Sequence, residues 1–103
     1  MNIGNIMKQA QKMQAEMARV QEELKDEQVE ASAGGGTVKV VMSGDMQVVS
    51  VTVDPAAVDP DDVDLLQDMI AAAVNEAVRM AQELAAQKMS AVTGGMNLPG
   101  MGM

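Results

Sequence analysis

The fold class predicted for this chain is α+β: a long helix, a three-stranded antiparallel sheet and a second long helix, forming a homodimer with protruding helical arms. Three successive patterns along the 103 residues predict it. Residues 2–27 carry apolar side chains at helical spacing, residues 28–53 alternate, and the helical spacing returns from about residue 60.

The first helix is read over residues 2–27. Ile3, Ile6, Ala10, Met13, Met17, Val20 and Leu24 follow one another at alternating intervals of three and four, which is an a/d seam. Glu, Gln, Lys and Ala, all good helix formers, fill the other faces. The seam is soft, because methionine is adaptable and alanine small. It suits a helix packed on neighbours better than an isolated coiled coil.

The pattern then shifts to a period of two. Gln28–Ala33 reads as a short strand, Gly34, Gly35 and Gly36 as a turn, and Thr37–Ser43 as a second strand with Val38, Val40 and Met42 on one face. Gly44 and Asp45 make a tight connection to a third strand over Met46–Val53. Asp54 and Pro55 end the sheet. Lys39, on the second strand, reads as a charge that guards a sheet edge.

The second helix is placed from about Pro60, with Asp59 as its cap and Asp61 and Asp62 complementing its dipole. Leu66, Met69, Ile70, Ala73, Ala77, Met80, Ala81, Leu84 and Met89 continue the stripe until Gly94 and Gly95. Residues 1–93 are therefore one domain. Residues 94–103, rich in Gly, Met and Pro, read as a flexible tail.

Composition narrows the chemistry. The chain has no His and no Cys, which removes the commonest general base, thiol nucleophiles and soft-metal ligands. It has no aromatic residue, so bases cannot be stacked on rings. No catalytic residue, metal site, cofactor or small-molecule substrate is expected. No apolar run is long enough to span a membrane, and residues 1–20 lack a signal-peptide core, so the expected location is the cytoplasm. The three glycines at 34–36 precede a strand and lack a Lys-Ser/Thr pair, which fits a hairpin better than a phosphate loop. The acidic run at 59–64 lacks the Gly and the final acid of a calcium loop and fits a helix start.

The net charge is −8, with uneven placement. Asp54, Asp59, Asp61, Asp62, Asp64 and Asp68 fall in a stretch without a basic residue, whereas residues 1–15 contain Lys8 and Lys12 and no acid. Arg19, Lys25 and Arg79 have acids within one helical turn and read as solvated surface pairs. Lys8 and Lys12 repel one another at i, i+4, and Lys88 has no acid within a turn.

Lengths give these lysines a setting. At 1.5 Å per residue the helices run roughly 38 and 50 Å, while the strands run only about 20 Å. Both helices must overhang the sheet, and their free ends project together as an arm. The overhanging Ile3, Ile6, Met13, Leu84 and Met89 then need to pack on one another or on a second copy, which favours a homodimer.

Four blocks carry a family resemblance: GNIMKQAQKMQ at 4–14, GGGTVKVVMSGDMQVVSVTVDP at 34–55, DLLQDMIAAAVNEA at 64–77 and KMSAVTGGMNLPGM at 88–101. Together they resemble the YbaB/EbfC family of bacterial nucleoid-associated proteins over nearly the whole chain. The resemblance implies an α–β–β–β–α homodimer shaped like tweezers, double-stranded DNA as partner, a place in the nucleoid, and roles in nucleoid organisation and gene regulation without catalysis. It assigns DNA binding to the helical arms, hence here to Lys8, Lys12 and Lys88, with Arg79 a weaker candidate between its acidic neighbours. The alternative is a dimeric interaction or accessory factor that uses its Met-rich helices on a protein partner without touching DNA.

Overall fold

The computed structural model describes residues 2–95, with side chains as far as residue 92. Its elements run α1 (Ile3–Asp26), β1 (Gln28–Ala33), β2 (Val38–Ser43), β3 (Val48–Val53), a single 3-10 turn (Pro55–Ala57) and α2 (Val63–Gly95). The strands form one antiparallel sheet in the order β1-β2-β3. The molecule is elongated, 70 Å by 27 Å by 16 Å. Most of the tail, residues 96–103, lies outside the described residues.

Helix α1 starts where Asn2 accepts a hydrogen bond from the Gly4 amide through its side chain. It ends at Glu27, whose amide closes on the Leu24 carbonyl. Its seam is buried only at Val20 and Leu24, the last two turns, because only there does the helix lie over other elements.

The core lies between the sheet and α2. Val38, Val40 and Met42 project from the central strand, and Ala31 from β1. Ala73, Ala77 and Ala81 face them from α2. Alanines at every fourth position bring the helix backbone close to the valines and lose no side-chain entropy on burial. Half-buried Ile70, Val74 and Val78 seal the flanks.

Three details differ from the sequence reading. Helix α2 begins at Val63, not near Pro60. Asp59 folds its side chain onto the Asp61 amide, and it is Asp62 that accepts from the Leu65 amide as the cap. Two carboxylates in the same short run compete for the role, and a local turn takes the first. Lys39 lies on the central strand, paired with Ser32 and Thr52, and projects from the polar outer face instead of guarding an edge.

The β2–β3 loop is one residue longer than the expected Gly44-Asp45 turn, and β3 begins at Val48, not Met46. The Met46 amide donates to the Ser43 carbonyl, the Ser43 amide to the Gln47 carbonyl, and Met46 has φ 65°. This is a type I turn followed by a left-handed residue, a three-residue hairpin loop. The register then slips beside Val41 and Met42, leaving Val49 as an extra residue in β3.

Candidate nucleic-acid interface

The arm is built by running α1 and α2 antiparallel past the end of the sheet. Lys88 of α2 marks the level of Glu23 in α1 and of Glu27, the residue that caps its end. From there α2 continues for about 10 Å to Gly95, whereas α1 runs back about 30 Å to Ile3. The first turns of α1 therefore project about 20 Å past the described end of α2. Between the helices lies an open cleft of about 310 Å³ lined by Lys12, Glu16, Arg19, Val20, Glu23, Lys88, Ala91 and Val92.

The stem of the arm is charge-compensated. Arg19 bridges Glu16 and Glu23, one turn to either side. Lys88 lies 3.0 Å from Glu23 and 2.9 Å from Glu27. These contacts raise the Arg19 and Lys88 pKa values, the former chiefly through the Glu16 hydrogen bond and the latter through the Glu27 and Glu23 hydrogen bonds. Glu23 is held below the usual carboxylate range chiefly by the Lys88 hydrogen bond, which together with Arg19 outweighs the opposing effect of burial.

The tip has no such compensation. Lys8 and Lys12 make no ion pair among the described residues, and both side chains are exposed. No acidic residue precedes Glu16. Successive residues turn by about 100°, so Lys8 and Lys12 stand on the face opposite the Ile3–Ile6–Met13 stripe. Of the apolar arm residues singled out in the sequence, Ile3 is 72% and Ile6 47% exposed. Met13, Leu84 and Met89 are half-buried.

The four basic candidates thus differ in setting, although Lys12 and Lys88 line the same cleft. Lys8 and Lys12 come together on the projecting tip. Arg79 lies away from it on α2, bridging Glu76 and Glu83, with its pKa raised chiefly by Glu76. Lys88 sits at the base of the arm, and its counter-charges come from another helix. A signal for this existed: Glu27 has no basic residue three or four positions away and stands four from another acid, Glu23, so its cation has to come from elsewhere in the fold. Neither a group of His, Cys, Asp and Glu able to hold a metal nor a helix apolar enough to cross a membrane occurs among the described residues.

A second surface was not foreseen. Helix α2 lies over β1 and β2 and leaves β3 uncovered. Val48 and Val51 pair with Met42 and Val40, so they project from the same side as the core, yet they are 52% and 46% exposed. Alternation in the sequence marks such valines as core-facing, and only the lateral position of α2 leaves them open.

Comparison with known proteins accords with this architecture. A nucleoid-associated protein of Alkaliphilus metalliredigens is 53% identical over 100 residues, covering 97% of this chain and 88% of that protein. One of Acetivibrio thermocellus is 56% identical over 101 residues, covering 97% and 89%. An uncharacterised protein of Helicobacter pylori, known from a crystal structure, shares the fold with a TM-score of 0.75 at 22% identity, over 84% of this chain and 91% of that one. The model of the YbaB/EbfC DNA-binding family matches residues 1–96, and the chain belongs to that family.

Proposed function

We propose that this protein is a nucleoid-associated protein of the bacterial cytoplasm that binds double-stranded DNA as a homodimer and acts in nucleoid organisation and gene regulation. The observation that carries the reading is the pair Lys8 and Lys12, uncompensated and exposed on a projecting arm of a chain from a DNA-binding family. Lysine is a point charge suited to phosphate, so the contacts are to the DNA backbone and not to base edges. The acidic body, opposite in effect to the tips, keeps the duplex away from the sheet. No enzymatic step is part of this function.

The second copy supports the grip by doubling the number of tips. The uncovered side of β3, with Val48 and Val51, is the surface it would cover, since an apolar strand at a sheet edge is otherwise a site of aggregation. Four lysines neutralising four phosphates give a log–log salt slope of roughly −3.6, so affinity falls about a hundredfold between 50 and 200 mM salt. Gel-shift titration of duplex DNA tests this. Loss of the shift with Lys8→Glu and Lys12→Glu combined is expected. No shift by the native protein at low salt, or an unchanged shift by the variant, would overturn the reading.

The exposed stripe of Ile3, Ile6 and Met7 favours a second reading, a protein partner seated on the arm. Partner capture that persists in the double-lysine variant, with no DNA shift by the native protein, would mark that reading as correct.

A further inference from the structure

We infer that Lys88 is a positioning strut that fixes α2 against α1, and that the phosphate-contacting cations of the arm are confined to Lys8 and Lys12 at its tip. This rests on the DNA-binding reading above.

The geometry of the stem carries the inference. Lys88 is separated from Glu23 by 65 residues in sequence, so the bridge closes a long loop and ties the two helices directly. Its ammonium contacts two carboxylates at once, Glu23 at 3.0 Å and Glu27 at 2.9 Å, and its side chain is only 26% exposed. Glu27 Oε2 is itself buried and finds its counter-charge in this ammonium. Glu23 is meanwhile held from its other oxygen by Arg19, which is anchored to Glu16. The result is a continuous chain of alternating charge, Glu16–Arg19–Glu23–Lys88–Glu27, spanning both helices.

Such a chain is a poor phosphate site for two reasons. Its three carboxylates outnumber its two cations, so an approaching phosphate meets a net negative stem. For Lys88 to reach a phosphate it would have to leave both carboxylates, stranding the buried Glu27 oxygen without a counter-charge. Lys8 and Lys12 face neither cost. Few apolar contacts hold the arm beyond Val20, because the side chains facing the cleft there are mainly charged. At the level of the bridge Val20 and Leu24 are also buried, so Lys88 adds a directional tie to the apolar packing there, and the direction in which the tips point depends on it.

The absence of cysteine allows a direct test. Spin labels on Gln14→Cys and Gln87→Cys report the spacing of the two helices, with labelled chains diluted in unlabelled protein. A narrow distance distribution is expected for the native sequence and for Lys88→Arg, and a broadened one for Lys88→Met and for Glu23→Gln with Glu27→Gln. In DNA titrations Lys88→Met is expected to weaken binding by on the order of two- to tenfold through loss of orientation, with the salt slope unchanged. A distribution that stays narrow in Lys88→Met would overturn the inference. So would a slope shallower by about 0.9 for each lysine removed, since that marks a lost phosphate contact. Failure of the native protein to bind duplex DNA would sink the functional reading alone, because the distance measurement tests the strut without DNA.

Discussion

Gly44 lies so close to Leu24 that a Cβ at this position would sit 2.7 Å from the Leu24 carbonyl oxygen and 2.8 Å from its Cδ2. The glycine amide also donates to the Glu27 carbonyl at 2.9 Å. The β2–β3 hairpin is thereby pressed onto the end of α1, and this contact sets where the arm leaves the body. Gly44→Ala should push the two apart and destabilise the fold by about 1–3 kcal/mol, as overpacking does. A lowered midpoint in urea unfolding is the measurement; an unchanged midpoint would mean the contact is slack.

Two residues further on, Met46 adopts φ 65° at an exposed turn, a conformation that costs a side-chain-bearing residue about 1–2 kcal/mol. Glycine has no such penalty, though it loses more entropy on folding. Met46→Gly is therefore expected to stabilise the protein by about 0.5–1 kcal/mol. Thermal unfolding followed by circular dichroism checks the sign.

The Glu16–Arg19–Glu23–Lys88–Glu27 chain makes stability depend on pH. Glu23 titrates below its ordinary value in the folded state, owing first to Lys88 and then to Arg19. Its contribution is complete above the unfolded glutamate pKa of about 4.3 and is lost as pH falls through the lower folded value. Lys88 titrates above its ordinary value, so its contribution is present below about pH 10.4 and lost as pH rises beyond it. Urea midpoints between pH 6 and pH 2.5 should fall less steeply for Lys88→Met than for the native chain. Equal slopes would show the bridge to be energetically idle.

The open valines of β3 make a further expectation for the proposed dimer. Val51→Glu places a charge where a second copy would seat, and a desolvated charge is costly. Dimer dissociation should strengthen on the order of a hundredfold, read by analytical ultracentrifugation. Ser50→Glu, on the opposite face beside Val41, should leave association unchanged. Dissociation by both variants, or by neither, would place the interface elsewhere.

Much of this fold was legible in the spacing of side chains. Ile3 to Leu24 spelled out α1, the alternation from Gln28 to Val53 spelled out three strands in the right order, and Ala73, Ala77 and Ala81 lay within the stripe expected of α2. The tip of the candidate site was legible too, since Lys8 and Lys12 are local neighbours in a run without acids. The start of α2 was not, because Asp59, Asp61 and Asp62 are near-equivalent caps and the choice among them depends on how the chain turns after Val53.

Local periodicity specifies which elements form, because it reflects interactions between residues three, four or two apart. It carries no record of how those elements lie on one another. The lateral placement of α2 over β1 and β2, which strands Val48 and Val51, is a matter of packing between distant segments. So is the joining of Lys88 to Glu23 and Glu27, across 65 residues in the first case. A lysine that stands alone on its own helix became the most constrained cation of the arm once a second helix supplied its acids.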